Sequence, residues 1–272
     1  MMEISNKARL GGRGIAVGTF VTEAPLVPTV RIVSASGGDF VILDCEHGSI
    51  EISDLRAAIA LCRCSGLQAL VRIPELETHW IAKALDSGAH GIVAPNVETV
   101  AEARRLVDQA SFPPTGRRGA SFGSAQDDYS GGDIALKVER ANRELIILCM
   151  IESPKGLNSV EAIAALPGIA GCWFGYIDFS IAAGLPGEIS HPDVLAAARR
   201  VADACMMHSK IAGVMTTSLE HLEQYISRRY NVAAWASDAF VLRHGFTTGF
   251  LGCRNALQRD SSKREKDDVQ PK

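Results

Sequence analysis

Leu145–Glu152 reads LIILCMIE: seven apolar side chains without a polar interruption, stopped by an acid. A strand with one wet face alternates apolar and polar residues, whereas a strand covered on both faces does not. This run therefore predicts a strand of a parallel sheet, with Glu152 at its C-terminal end. Seven more runs share the pattern: GIAVGTFV (Gly14–Val21), FVILD (Phe40–Asp44), ALVRIP (Ala69–Pro74), GIVAP (Gly91–Pro95), CWFGYID (Cys172–Asp178), IAGVMT (Ile211–Thr216) and VAAWASD (Val232–Asp238).

Helical patterns lie between them. Leu55, Ala58, Ile59 and Cys62 recur at helical spacing and stop at Gly66; Trp80, Ile81, Ala84 and Leu85 do so before Gly88. Thr99 with Glu102, and Thr217 with Glu220, have the spacing of capping boxes. Asp193–His208 predicts a long Ala-rich helix, with Pro192 near its start. Eight strands joined by helical crossovers predict an α/β chain folded as a single-domain (β/α)8 TIM barrel. An open doubly wound sheet is the other architecture, but the first strand is followed by no G-x-G-x-x-G, and no P-loop is present.

The 272-residue length suits one such barrel, assigned to residues 1–257. The remainder, 258–272, is highly charged without an apolar face and is expected to be a disordered tail. Hydrophobic residues make up 47% and charged residues 22%, which excludes disorder as the main state. The net charge of −3 offers no basic field for nucleic acid. No apolar run is long enough to span a membrane, and MMEISNKARLGGRG lacks a signal-peptide core, so a cytoplasmic protein is expected. Seven scattered cysteines with no C-x-x-C read as free thiols. The long polar stretch Ser111–Asp133 breaks the rhythm of the alternation and is expected to serve function.

A barrel carries its active site at the C-terminal ends of its strands. Those ends offer Asp44, Glu46 and His47, then Arg72, Pro95 with Asn96, Glu152, Asp178, Thr216 with Thr217, and Ser237 with Asp238. Glu152 and Asp178 fall on neighbouring strands. Two carboxylates in one cleft suit a hard divalent cation, or else one pairs with Arg72 while the other caps a helix. His47 follows Asp44 by three residues, a spacing that lets a carboxylate orient an imidazole for proton transfer. Arg72 is suited to holding a carboxylate or an enolate oxygen, or to a salt bridge across the barrel mouth. Together these groups suggest enolate chemistry on a 2-oxo acid.

FVILDCEHG (Phe40–Gly48), LVRIP (Leu70–Pro74), ALDSGAHGIVAPNVETVAEA (Ala84–Ala103), PPTGRRG (Pro113–Gly119), IESPKG (Ile151–Gly156) and FGYIDFS (Phe174–Ser180) resemble, in order, the metal-dependent class II pyruvate aldolases of the HpcH/HpaI family. The resemblance spans residues 10 to 255 or so. It implies cleavage of a 4-hydroxy-2-oxo acid to pyruvate and an aldehyde. It maps Glu152 and Asp178 to ligands of Mg²⁺, Mn²⁺ or Co²⁺, Arg72 to the enolate-stabilising arginine, and His47 with Asp44 to an acid/base dyad near which Asp86 stands. Gly175, Tyr176, Ile177 and Asp178 map to the turn that binds the oxo acid. Arg117 and Arg118 are candidates for an anionic or aldehyde end of the substrate, with solvated or intersubunit ion pairs as the alternative. The resemblance further implies a homo-oligomer, a trimer or hexamer with helix exchange. Family aldolases carry F-x-G-P-x-D-L-S around the second ligand; here Tyr176 and Ile177 precede Asp178. That departure keeps a specialised decarboxylase or carbon–carbon condensing enzyme as a second reading. A non-catalytic metabolite-binding barrel is the third.

Overall fold

The computed structural model describes Leu10, residues 14–23 and residues 26–267, with side chains described up to residue 259. The stretch read for a signal peptide lies almost wholly outside the described residues, as do the last five residues of the expected tail. The chain begins with β1 (Ala16–Val21), α1 (Leu26–Ala35), β2 (Phe40–Asp44), α2 (Ile52–Cys64), β3 (Gln68–Arg72), α3 (Thr78–Asp86), β4 (Gly91–Ala94) and α4 (Val100–Ala110). After a long loop with one 3-10 turn come α5 (Ile134–Glu144), β5 (Ile146–Ile151), α6 (Pro154–Asn158), α7 (Val160–Ala165), β6 (Gly171–Phe174), α8 (Tyr176–Ala182) and α9 (Pro192–Met207). The chain continues with β7 (Ile211–Thr216), α10 (Leu219–Ser227), β8 (Val232–Ser237) and α11 (Asp238–Asp267).

The eight strands are parallel and close in sequence order, with β1 paired to both β2 and β8. The expected (β/α)8 barrel is the observed fold. Its core has two layers, and the strand sequences show why. In β5, Ile146, Leu148 and Met150 face the barrel interior, while Ile147, Cys149 and Ile151 pack under the helices. In β2, Phe40 and Ile42 point in while Val41 and Leu43 point out. Successive strand residues face opposite sides, and both sides are apolar, so the runs show no alternation. The same period carries Asp44, Arg72 and Glu152 to the inward side at the C-terminal rim.

Three local expectations change. The cap of α10 is Ser218, whose hydroxyl accepts from His221 N–H, so Thr217 is not the cap. Asp178 lies in the first turn of α8, because β6 ends four residues earlier at Phe174. The boundary placed at 257 is not a structural break, since α11 continues unbroken to Asp267. The Thr99–Glu102 capping box is present, with Glu102 N–H donating to Thr99 Oγ1 and Thr99 N–H to Glu102 Oε2. The described cysteines are all free thiols.

The interior is filled by Trp173, which meets Phe20 edge-on at 5.7 Å. A Cβ at Gly213 on β7 would lie 2.2 Å from the Trp173 ring. Gly213→Ala is therefore expected to destabilise the barrel by about 1–3 kcal/mol through overpacking. Equilibrium urea unfolding would measure this; an unchanged midpoint would contradict the packing described.

Candidate active site

The inward residues meet first between β2 and β3, where Asp44 and Arg72 are direct register neighbours. Asp44 is fully buried and accepts from Arg72 Nε (2.8 Å) and Nη2 (2.6 Å). Its Oδ1 also accepts from the backbone N–H groups of Glu46 (3.0 Å) and His47 (3.3 Å). A buried carboxylate with a bidentate arginine and two amide donors is fully occupied. The third arm of Arg72, Nη1, lies 3.1 Å from Glu46 Oε2, and the guanidinium stands 5.1 Å over the Phe20 ring. Burial opposes the Arg72 charge, but the Asp44 hydrogen bonds and the Asp44 and Glu46 charges outweigh it and raise its pKa.

This geometry corrects the expected Asp44–His47 dyad. Asp44 touches only the backbone of His47. The imidazole is 68% exposed, and its Nε2 faces Glu46 Oε2 at 3.9 Å. Arg72 outcompetes the histidine for Asp44 because it is the adjacent strand residue and brings a permanent charge. Glu46, not assigned a role from sequence, links His47 to Arg72. Burial pushes its carboxyl pKa up, against the pull of Arg72 and His47.

Glu152 sits across the mouth. Its Oε2 accepts from the backbone N–H of Asn96 at 2.8 Å. Asn96 adopts a left-handed conformation (φ 48°), which aims that amide at the carboxylate. Its Oε1 occupies space that only glycine leaves free, since a Cβ at Gly175 would come within 2.6 Å of it. Burial raises the Glu152 pKa to about 7; the Asn96 N–H opposes this, and the charges of Asp178 and Glu46 reinforce it. Asp178 is exposed to solvent in the first turn of α8. A cavity of about 220 Å³ opens at the mouth, lined by Asp44, His47, Arg72 and Asp178 together with Met150, Trp173, Met215 and Tyr176.

The mouth therefore holds four carboxylates, Asp44, Glu46, Glu152 and Asp178, against one arginine already paired twice. That oxygen-rich, net negative set fits a hard divalent cation, with Glu152 and Asp178 the carboxylates not engaged by Arg72. Among the described residues, no three His, Cys, Asp or Glu side chains converge on one point.

Three expected site residues lie elsewhere in this chain. Asp86 ends α3, and a helix running antiparallel to the strands ends at the barrel's opposite face. There it pairs with Arg118 Nη2 at 2.8 Å. Arg118 is buried, also donates to Gln126 Oε1 (2.7 Å), and stacks 4.6 Å over Phe112. Arg117 pairs with Asp108. The loop carrying both arginines follows the C-terminus of α4 and is tied back to it by Arg118 N–H donating to Ser111 O (2.9 Å). Neither arginine lines the cavity of its own chain.

A parallel barrel with an arginine, an exposed histidine and several acids at its C-terminal mouth has the layout of an enzyme site. Residues 23–245 match the HpcH/HpaI aldolase/citrate lyase family, and the chain belongs to that family. It is 30% identical to the 5-keto-4-deoxy-D-glucarate aldolase of Shigella dysenteriae over 87% of this chain and 91% of that one. The HpcH/HpaI aldolase from Desulfitobacterium hafniense superposes with a TM-score of 0.87 at 26% identity, covering 93% of this chain and 97% of that one. Macrophomate synthase superposes at 0.80 with 28% identity, covering 90% and 86%. The chain is thus a carbon–carbon lyase of the aldolase type. Family members in general depend on a divalent metal.

The raised Glu152 pKa sets a pH prediction for metal-free protein in chelator. The folded state prefers the protonated acid, so this contribution is complete below about pH 4.5 and is lost as pH rises through 7. Between those limits the loss is on the order of 3 kcal/mol. Thermal melts of Glu152→Gln should lack this decline and exceed wild type at pH 8. Identical pH profiles would refute the assignment.

Proposed function

We propose that the chain cleaves a 4-hydroxy-2-oxo acid reversibly to pyruvate and an aldehyde, with a site built from Asp44, Glu46, His47, Arg72, Glu152 and Asp178. The observation that carries this reading is the excess of carboxylates around a single, doubly anchored arginine. Glu152 and Asp178 would hold the divalent ion, Mg²⁺, Mn²⁺ or Co²⁺. When bound, it supplies Lewis-acid polarisation of the 2-oxo group. The Gly175–Asp178 turn would receive the carboxylate end of the substrate.

His47 Nε2 takes the proton from the C4 hydroxyl. The C3–C4 bond then breaks, releasing the aldehyde and leaving an enolate whose charge rests on the C2 oxygen. Arg72 offers its fixed charge to that oxygen; held by Asp44 and Glu46, it needs no reorganisation as the charge develops. Return of the proton to C3 completes pyruvate. Glu46 faces His47 Nε2 at 3.9 Å and lies between it and Arg72. Asp86, Arg117 and Arg118 take no part from within the same chain. The identity to 5-keto-4-deoxy-D-glucarate aldolases makes that sugar acid the first substrate to test.

The chain is also proposed to work as a homo-oligomer. On α11, Val241, Leu242, Phe246, Phe250, Leu251 and Leu257 are exposed in the single chain, too many large apolar groups for a helix facing water. Among the described residues, no helix is long and apolar enough to cross a membrane.

Pyruvate release from 5-keto-4-deoxy-D-glucarate, followed with lactate dehydrogenase, is expected with Mg²⁺ or Mn²⁺ and is expected to vanish in chelator. His47→Ala should lower kcat by about 10²–10⁴-fold, the usual worth of a general acid–base group. Full activity in chelator, or in Glu152→Ala, would contradict the proposal. Light scattering should give a mass several times that of one chain, falling toward one chain in Phe246→Asp/Phe250→Asp; a monomeric wild type would contradict the oligomer.

A further inference from the structure

The turn Gly175–Asp178 carries a residue the family does not usually place there. By the resemblance to F-x-G-P-x-D-L-S, Tyr176 takes the position of the proline in that pattern. It is the first residue of α8, a position where proline fixes φ at no hydrogen-bonding cost. Tyrosine supplies no such restraint through its backbone. Its side chain, however, is buried and wedged against α10. The Tyr176 ring meets His221 edge-on at 4.9 Å (82°) and lies nearly parallel to Tyr225 at 6.0 Å (30°). His221 and Tyr225 meet each other at 4.7 Å. Tyr225 meets Tyr230 edge-on at 5.0 Å, and the Tyr230 hydroxyl donates to Ala198 O on α9 at 2.8 Å.

An unbroken line of rings thus runs from the active-site turn through α10 to the backbone of α9. His221 Nε2 and the Tyr225 hydroxyl are both buried without a hydrogen-bond partner among the described residues. Their polar atoms gain nothing from this placement, so ring packing is what keeps them there. Burial and the nearby Arg228 charge hold the His221 pKa below its ordinary range.

We propose that Tyr176, wedged against His221 and Tyr225, holds the Gly175–Asp178 turn in place by packing, supplying through its side chain the restraint that a proline at this position would supply through its backbone. Tyr176 and His221 are positioning residues: they act through the turn and not on the reacting atoms. Their importance for the reaction rests on the proposed role of the turn in binding the oxo acid. The wedge itself does not.

Amide hydrogen exchange by mass spectrometry tests the wedge without reference to any substrate. In His221→Ala, the hydrogen-bonded amides of this segment, from Phe179 (to Gly175 O, 2.9 Å) to Ala183 (to Phe179 O, 2.9 Å), should exchange about tenfold faster or more through local opening, while peptides from β2 and β5 stay protected. His221→Phe, which keeps a ring edge against Tyr176, should restore slow exchange. Tyr176→Pro should also exchange slowly, and His221→Ala added to it should have no effect on the turn, because the proline now supplies the restraint. If the turn exchanges alike in wild type and His221→Ala, or if His221→Ala acts equally in the Tyr176→Pro background, the proposal is wrong. With oxo acid, the KM of His221→Ala should rise about fivefold while kcat stays within about twofold, the pattern of lost binding alone. A wild type that shows no oxo-acid turnover would remove the aldolase reading and leave the exchange result to judge the wedge.

Discussion

The site depends on a two-residue period. In a closed parallel barrel every strand is covered on both faces, so its side chains alternate between two apolar layers until the rim. Asp44, Arg72 and Glu152 each follow an inward apolar residue by two positions: Ile42, Leu70 and Met150. The register that closes β2 on β3 places Asp44 beside Arg72. Slipping a strand by one residue would turn its charged group into the outer apolar layer, so the fold's packing and the site's composition are specified by the same alternation.

Electrostatics at the mouth follows from how these charges are shared. Arg72 is spent on Asp44 and Glu46, and it therefore compensates Glu152 poorly. Glu152 is left buried with one amide donor, near two further negative charges, and its pKa rises to about 7. A site that strains to hold its own acids ionised gains from a cation and from a substrate whose charge the cation can share. The rigid Arg72 is the complementary feature, a positive group that neither moves nor loses its proton as charge builds on the substrate.

Much of this was legible in the sequence, and the limits have physical causes. Unbroken apolar runs such as LIILCMIE located the strands because burial on both faces leaves that trace. Strand ends gave Asp44, Arg72 and Glu152. The partner of His47 was not legible, because spacing along the chain does not tell which of two acids a neighbouring arginine will claim. Asp178 was placed on a strand, because FGYID is as apolar as its neighbours while the turn at Gly175 is set by contact with Glu152. Asp86 and the Arg117–Arg118 pair lie at the other end of the barrel, because α3 and α4 carry the chain back from the C-terminal rim to the N-terminal ends of the strands. The charged composition of 258–267 hid a helix whose apolar face lies earlier, at Val241–Leu257.

The central claim is that this mouth forms an enolate from a 2-oxo acid with the help of a divalent ion. Exchange of the pyruvate methyl protons in D₂O, followed by NMR, tests it without any choice of aldehyde. The account predicts exchange with Mg²⁺ or Mn²⁺ that disappears in chelator, in His47→Ala and in Glu152→Ala. Absence of exchange under every metal, or exchange indifferent to chelator and to both substitutions, would contradict it.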